Sequence, residues 1–453
     1  MAAKTVIPTE LGTEKISKLL KQYAVPAIIA MTASSLYNMV DSIFIGHGVG
    51  TLAIAGLALT FPLMNLGAAF GSLVGVGACS SISVMLGQKN YDMARKVLGN
   101  VITLNTIIGL TYMVLVYLFL DPILYFFGAS EQTLPYAKEY MQIILMGNVV
   151  THMYLGLNAV QRASGFPKEA MKVTIFTVII NAILDPLFIY VFQWGIKGAA
   201  IATVVAQLMA LCWILKAFSN KNHIVHFERG TYSLVPRIVR DILAIGAAPF
   251  SMNMAACMVV ILINQGLQSH GGDLAIGAYG IINRISFIFV MVVMGLTQGM
   301  QPIAGYNFGA KNYDRVHNVL YTTIICASII TTVGFFIAEF LPGIFIMLFT
   351  SDQELISICK NGLRIIFGAF PIVGFSIVTG NFFQSIGMAG KSIFLSLSRQ
   401  LIFLVPFLLV LPRFFGVNGV WISMPLADSL AAIIAAFLLV NHIKKFKKEH
   451  KDA

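Results

Sequence analysis

The chain alternates long apolar runs with short polar stretches. The runs fall at roughly 24–46, 52–84, 98–120, 138–161, 170–193, 197–217, 242–268, 274–306, 317–349, 356–384, 391–412 and 417–441. Each is long enough to cross a bilayer as a helix, which takes about 20 apolar residues. The pattern therefore predicts an all-α polytopic membrane protein with twelve transmembrane helices. Polar stretches divide it into an amino-terminal segment 1–21, six spans over 22–218, a linker 219–241, six spans over 242–441 and a basic tail 442–453. Thr13 to Lys21 reads as a short amphipathic helix on the membrane surface.

The two halves repeat. Leu86-Gly87-Gln88-Lys89-Asn90-Tyr91-Asp92 matches Phe308-Gly309-Ala310-Lys311-Asn312-Tyr313-Asp314 at an offset of 222. The same offset pairs Leu52-Ala53-Ile54 with Leu274-Ala275-Ile276, and Gly195-Ile196-Lys197-Gly198 pairs with Gly416-Val417-Asn418-Gly419 at nearly that offset. Each half holds an even number of spans, so the halves share one topology and form parallel repeats about an axis along the membrane normal. Two such six-helix lobes can enclose a central cavity and rock against each other.

Composition sharpens the class. Of 453 residues, 58% are hydrophobic and 11% charged, against roughly 25% charged in soluble domains. The net charge of +11 fits basic cytoplasmic loops and not a nucleic-acid surface, because no basic run is interleaved with aromatics on a soluble domain. Among 30 Lys and Arg, only Lys138, Lys197, Lys360, Arg364 and Arg413 lie on the side opposite the termini, with Arg284 mid-run. The positive-inside rule then places both termini in the cytoplasm of a cell-membrane protein. The five cysteines are scattered and without a CxxC, so they read as packing residues and not as disulfides or a metal site. No metal constellation or cofactor motif appears, nor a cleavable signal peptide.

Against this apolar background a few polar residues stand out. Asn181-Ala182-Ile183-Leu184-Asp185-Pro186 places an amide and a carboxylate four residues apart, on one helix face, inside the fifth run. Tyr37-Asn38-Met39-Val40-Asp41 places a second acid in the first run. By the repeat, Asp41 aligns with Asn264, Asp185 near Pro406 and Thr203 near Met424. The acids thus belong to one half only, which scaffolding shared by both halves does not require. At about 1.5 Å rise per residue, Asp41, Asp185 and Thr203 lie roughly 8, 12 and 9 Å inside the outer helix ends. Asn181 and Tyr37 sit about one turn from the acids, so three spans contribute to one layer. One of two carboxylates there takes up a proton, or both share a cation, and amide, hydroxyl and phenol oxygens supply the neutral ligands that Na⁺ needs. A static polar clamp is the bland alternative, and a costly one for two unpaired acids.

Arg284, Asp428 and Arg399 also lie within apolar runs, and read as the source of a structural ion pair inside the second half. Pro186 removes a backbone donor and can kink the fifth span. The 21 Met and 33 Phe read as lipid-facing, packing or cavity-lining residues.

At these positions the chain resembles the MATE (multidrug and toxic compound extrusion) family over nearly its whole length. The matching pieces are Pro26 with Tyr37 to Asp41, Gly87-Gln88-Lys89-Asn90-Tyr91, Asn181 with Asp185-Pro186, and Gln301-Pro302-Ile303-Ala304-Gly305-Tyr306-Asn307-Phe308-Gly309-Ala310. The resemblance implies a V-shaped pair of six-helix lobes exporting cationic, amphipathic drug-like molecules in exchange for H⁺ or Na⁺, as a monomer in the lipid bilayer. It also implies an amino-lobe cation site at Asp41, Asn181, Asp185 and Thr203, with Tyr37 and Asn158 nearby. One branch of the family uses a glutamate in span seven and an aspartate in span ten. This chain has neither, which favours the branch working through the amino-lobe acids.

Rival readings fit less well. A lipid or lipid-linked oligosaccharide flippase of the same superfamily tends to carry extra spans or a strongly cationic cavity, whereas Arg284 is the only basic residue well inside the first ten spans. An intramembrane enzyme needs a nucleophile, base or metal set, and no HExxH, GxSxG or paired-His motif is present. A channel suits the two-lobe repeat and one-sided acids less well than alternating access does.

Overall fold

A computed structural model describes residues 9–348 and 352–449, excluding the side chains of 36–40, 42, 43, 46, 47, 51, 54, 273 and 446–449. Among these, nine helices are long and apolar enough to cross a membrane, and two further helix pairs qualify as bent spans. The 33-residue helix Ile16–Gly48 precedes them, giving the twelve crossings expected. The amino lobe comprises Ile16–Gly48, Thr51–Gly87, Tyr91–Leu118, the pair Leu134–Met146 and Asn148–Ala163, Pro167–Val191 and Gly195–Phe218. The carboxyl lobe comprises Pro236–Gly272, Leu274–Gly309, Tyr313–Phe340, the pair Gln353–Phe367 and Phe370–Ser385, Ala389–Phe415 and Val417–Glu449.

The repeat is written into the backbone. Left-handed turns recur at matched places: Gly50 and Gly272, Lys89 and Lys311, Gly165 and Gly387, Gly195 and Gly416. Lys89 and Lys311 both adopt φ 59°, so the shared Gly-x-Lys-Asn-Tyr-Asp stretch encodes one tight turn used twice. The asparagine after the lysine starts the next helix, and the Asn90 side chain accepts from Met93 N at 3.3 Å. The fourth and tenth spans bend by 55° and 52° at corresponding positions.

Element ends depart from the hydropathy reading in three places. There is no separate surface helix over Thr13 to Lys21. Glu10–Thr13 forms one short helix, and the first span begins at Ile16, before its apolar stretch. The seventh span begins at Pro236, where proline suits a first helical turn, so the linker is shorter than read. That linker is also anchored. Asn100 Nδ2 donates to Thr231 O at 3.3 Å and to Ser233 O at 3.1 Å, while Asn100 Oδ1 accepts from Val235 N at 2.9 Å. Arg95 pairs with Glu228 at 2.8 Å and holds that exposed carboxyl below its ordinary range.

The lobes meet at the end bearing both termini, and glycine makes the approach possible. A Cβ on Gly77 would lie 2.0 Å from Ile242 O, and one on Gly246 would lie 1.8 Å from Leu73 O. Gly87 and Gly309 face Tyr306 O and Val84 O at 1.9 and 2.0 Å in the same sense. Cβ atoms on Gly295 and Gly299 would lie 2.7 and 2.5 Å from the Cα atoms of Ile28 and Ala24. All these contacts fall in the termini-side halves of the first, second, seventh and eighth spans. The Gln301 to Ala310 stretch completes the closure. Gln301 Nε2 donates to Ser80 Oγ at 2.8 Å across the lobes, and Asn307 Nδ2 donates to Leu11 O at 2.9 Å. Arg315 Nη2 then holds Glu14 O at 2.6 Å, clamping the amino-terminal segment over the seam.

A side chain at Gly246 therefore forces this seam open. In a protein carrying Ser80→Cys as its sole cysteine, Gly246→Val is expected to speed alkylation of that buried position several-fold. An unchanged rate would mean that the glycine contacts do not hold the lobes together.

Candidate functional site

The fifth span is helical from Pro167 to Pro186 and then widens into a π-turn over Leu187–Val191. Pro186 lacks the N–H that would continue the ladder, and π-turns often mark functional sites in helices. Two neighbours close on this turn at glycines. A Cβ on Gly48 would meet Ile189 Cγ2 at 2.4 Å, and one on Gly198 would meet Phe188 backbone at 2.9 Å. Tyr190 Oη also donates to Phe44 O at 3.2 Å. The first and sixth spans are thereby drawn against the segment that follows Asp185.

That approach assembles the acidic set. Asp185 is fully buried, Asn181 is 1% exposed, Thr203 5% and Asp41 6%. The Asp41 and Asp185 carboxyls lie within hydrogen-bonding reach of each other. Asn181 Nδ2 donates to Asp185 Oδ1 at 3.2 Å and reaches Thr203 Oγ1 at 3.4 Å. Among the described residues, Asp41 Oδ1, Asp185 Oδ2 and Asn181 Oδ1 are buried and accept no hydrogen bond. Buried oxygens left without a donor are costly. Two facing carboxyls with no N–H or O–H between them are relieved by a shared proton or by a hard cation that takes oxygen ligands. The donor set suits either and lacks the thiolate or imidazole that a softer metal favours.

Of the other residues expected here, the side chain of Tyr37 lies outside the described residues. Asn158 does not join the set. It donates to Ala170 O at 3.0 Å and accepts from Arg162 Nη1 at 2.7 Å. Ala170 and Asn181 are separated by about 16 Å of helix, so Asn158 belongs to a second polar cluster near the termini-bearing end. Its partner one turn along, Arg162, was the sequence signal for this separate role.

The intramembrane charges also divide. Arg399 Nε is paired with Asp428 Oδ1, whereas Arg284 is exposed and makes no ion pair among the described residues. The ion pair expected inside the second half is thus formed by Arg399 and Asp428, with exposed Arg284 outside it. Sequence reading missed the glutamines around the pair. Gln400 Nε2 donates to Met252 O at 3.4 Å, and Gln384 lies beside it with Nε2 buried and unpartnered. Glutamine in an apolar run has no motif, and only its polarity marked it.

Comparison with known proteins agrees with this architecture. The MatE family model matches residues 26–187 and 249–410, one match per lobe. Multidrug export protein MepA of Staphylococcus haemolyticus (strain JCSC1435) is 26% identical over 426 residues, covering 94% of this chain and 94% of that protein. The MepA of Staphylococcus aureus (strain MSSA476) is 27% identical over 426 residues, covering 94% of this chain and 93% of its own. A solved outward-facing conformation of a multidrug resistance MATE family transporter of the MOP superfamily superposes with a TM-score of 0.91 at 25% identity, over 98% of this chain and 100% of that one. The twelve-span repeat, the turns it conserves between lobes and the two-lobe match of the family model together make this chain a member of the MatE family of membrane efflux transporters.

Proposed function

We propose that the protein is a multidrug antiporter that exports cationic, amphipathic compounds in exchange for H⁺ or Na⁺ by alternating access, coupled through Asp41 and Asp185. The observation that carries this reading is the acid pair itself. It is buried and confined to one lobe, and each acid keeps one oxygen that no donor among the described residues satisfies. A site that must gain and lose a cation has that character, whereas a fixed clamp would have its oxygens paired. The multidrug export proteins among the relatives support the substrate class. In this reading the protein acts as a monomer in the cell membrane. The termini-bearing end is cytoplasmic, so the glycine seam closes the cytoplasmic side.

A proton or Na⁺ on the acids would favour the arrangement that releases drug outward. Drug binding from the cytoplasmic side would favour loss of that cation, because a ligand shifts an equilibrium only by its difference in affinity between states. Purified protein in liposomes, with H⁺ and Na⁺ gradients imposed separately, tests the proposal. At least one gradient should drive accumulation of a cationic dye such as ethidium above its passive level. No accumulation under either gradient would overturn it.

A further inference from the structure

The repeat builds one dock twice at the termini-bearing end. In the carboxyl lobe the amino-terminal segment fills it. Leu11 is 1% exposed there, and a Cβ on Gly12 would lie 3.1 Å from Tyr306 Cε1 and 3.9 Å from Asn312 Nδ2. Asn307 and Arg315 donate to Leu11 O at 2.9 and 3.1 Å. At the offset of 222, Tyr306, Asn307, Asn312 and Arg315 become Val84, Met85, Asn90 and Met93. All four counterparts line a cavity of about 360 Å³ between the lobes. Both donors to the peptide carbonyl are methionines here, so this second dock suits an occupant other than a peptide segment.

The second and third spans wall the cavity on one side, and the start of the seventh span and the turn at Gly387 on the other. Its polar groups are layered. Gln88, Asn90, Arg237 and Asp241 lie just outside the apolar runs that end at 84 and begin at 242, while Ser81, Val84 and Ile245 lie within them. Polar groups at the membrane edge beside a deeper apolar wall follow the profile of a phospholipid. Arg237 and Asp241 stand one turn apart on one helix face. Both are exposed, and neither forms an ion pair among the described residues. Asn90 spends its Oδ1 on the cap of the third span, which leaves its amide N–H groups for a ligand. Ser81 is 7% exposed, and its buried hydroxyl has no partner among the described residues, a costly arrangement unless a ligand supplies one.

We infer that this cavity binds a phospholipid whose headgroup carries a primary ammonium, as phosphatidylethanolamine does, and that the lipid ties the two lobes together at the closed seam. Its phosphate meets Arg237 and Asn90, its ammonium donates to Asp241, and an ester carbonyl accepts from Ser81. Arginine suits the phosphate, and the two-carbon link to the ammonium spans one helical turn of side chains. A choline headgroup carries the charge but has no N–H to give Asp241, and a glycerol headgroup lacks the cation. Both lobes contribute to the site, so the lipid binds the closed seam better than an open one and favours it by that difference.

Native mass spectrometry of the full-length, detergent-purified protein tests the site, with dioleoyl phosphatidylethanolamine, phosphatidylcholine and phosphatidylglycerol offered in equal amounts. Wild type should retain phosphatidylethanolamine about tenfold more than either other lipid, the scale of a charge-assisted hydrogen bond. Asp241→Asn should bring phosphatidylethanolamine and phosphatidylcholine to parity. Arg237→Gln should lower retention of both several-fold. The two residues are exposed, so both variants should fold. Equal retention in wild type, or a preference that survives Asp241→Asn, would overturn the inference. Glycerophosphoethanolamine at the same concentration should leave the lipid bound; displacement by it would give the site to a soluble headgroup and overturn the lipid assignment. The tie between the lobes is read at Ile242, whose carbonyl faces Gly77 across the seam. In a protein carrying Ile242→Cys as its sole cysteine, alkylation should be several-fold slower in nanodiscs containing phosphatidylethanolamine than in phosphatidylcholine alone. Adding Asp241→Asn should abolish that difference. Equal rates in the two lipids without that substitution would contradict the tie.

Discussion

Asp185→Asn and Asp41→Asn are each expected to bring gradient-driven export down to the level of liposomes without protein. Asparagine keeps the shape of the side chain and can still hydrogen-bond with Asn181, which sits 3.2 Å from Asp185 Oδ1. It cannot take up a proton or bind Na⁺ with a full negative charge, so coupling is lost while the local packing survives. Folding should hold, because removing one of two facing buried carboxyls relieves repulsion and desolvation. The checks are dye export under the driving gradient and the melting temperature of the purified variant. A variant that exports at the wild-type rate would remove that acid from the coupling mechanism. A variant that melts far below wild type would assign it to structure.

The second large effect concerns drug binding. In wild type, affinity for a cationic drug should fall as pH falls or as Na⁺ rises, by up to about tenfold per pH unit for one displaced proton. The sign follows from the site: a cation on the acids favours the outward-releasing arrangement, and linkage makes the antagonism reciprocal. In the double variant Asp41→Asn, Asp185→Asn this dependence should vanish while drug binding persists, because the acids lie buried within the amino lobe. Loss of drug binding at every pH and Na⁺ concentration would instead make the acids direct drug ligands.

Much of this architecture was legible because hydrophobic length is a strong signal in a membrane protein. Every backbone polar group must be satisfied within a span, so a long apolar run is a helix. The repeat was legible from the Lys89 and Lys311 turns, whose unusual φ restricts which residues can occupy them. Helix ends were harder to read. The first span begins at Ile16, in a polar stretch stabilised by the clamp from Asn307 and Arg315, a long-range contact that local hydropathy does not register. The bends after Met146 and Phe367 interrupt runs whose hydropathy continues through them.

The site shows the same division. Asp41, Asn181, Asp185 and Thr203 could be grouped because acids in apolar runs are rare and the second half supplied a control. Asn158 lies apart from them because Arg162, one turn away, donates to its side chain. Arg284 was grouped with Arg399 and Asp428 by type alone. Which face of a helix a charge occupies depends on packing, and the eighth span turns Arg284 outward. Gln384 and Gln400 went unseen because an amide in an apolar helix gains meaning only from the cavity it lines.

The most direct test of the central claim counts the cation that drug binding displaces. Purified wild-type protein in weakly buffered solution, mixed with saturating ethidium, should release roughly one H⁺, or one Na⁺ when pre-equilibrated with it, per drug bound. The Asp41→Asn, Asp185→Asn variant should bind the drug and release neither. Undiminished release from that variant, or drug binding by wild type with no release of either cation, would contradict the assignment of the coupling site to these two acids.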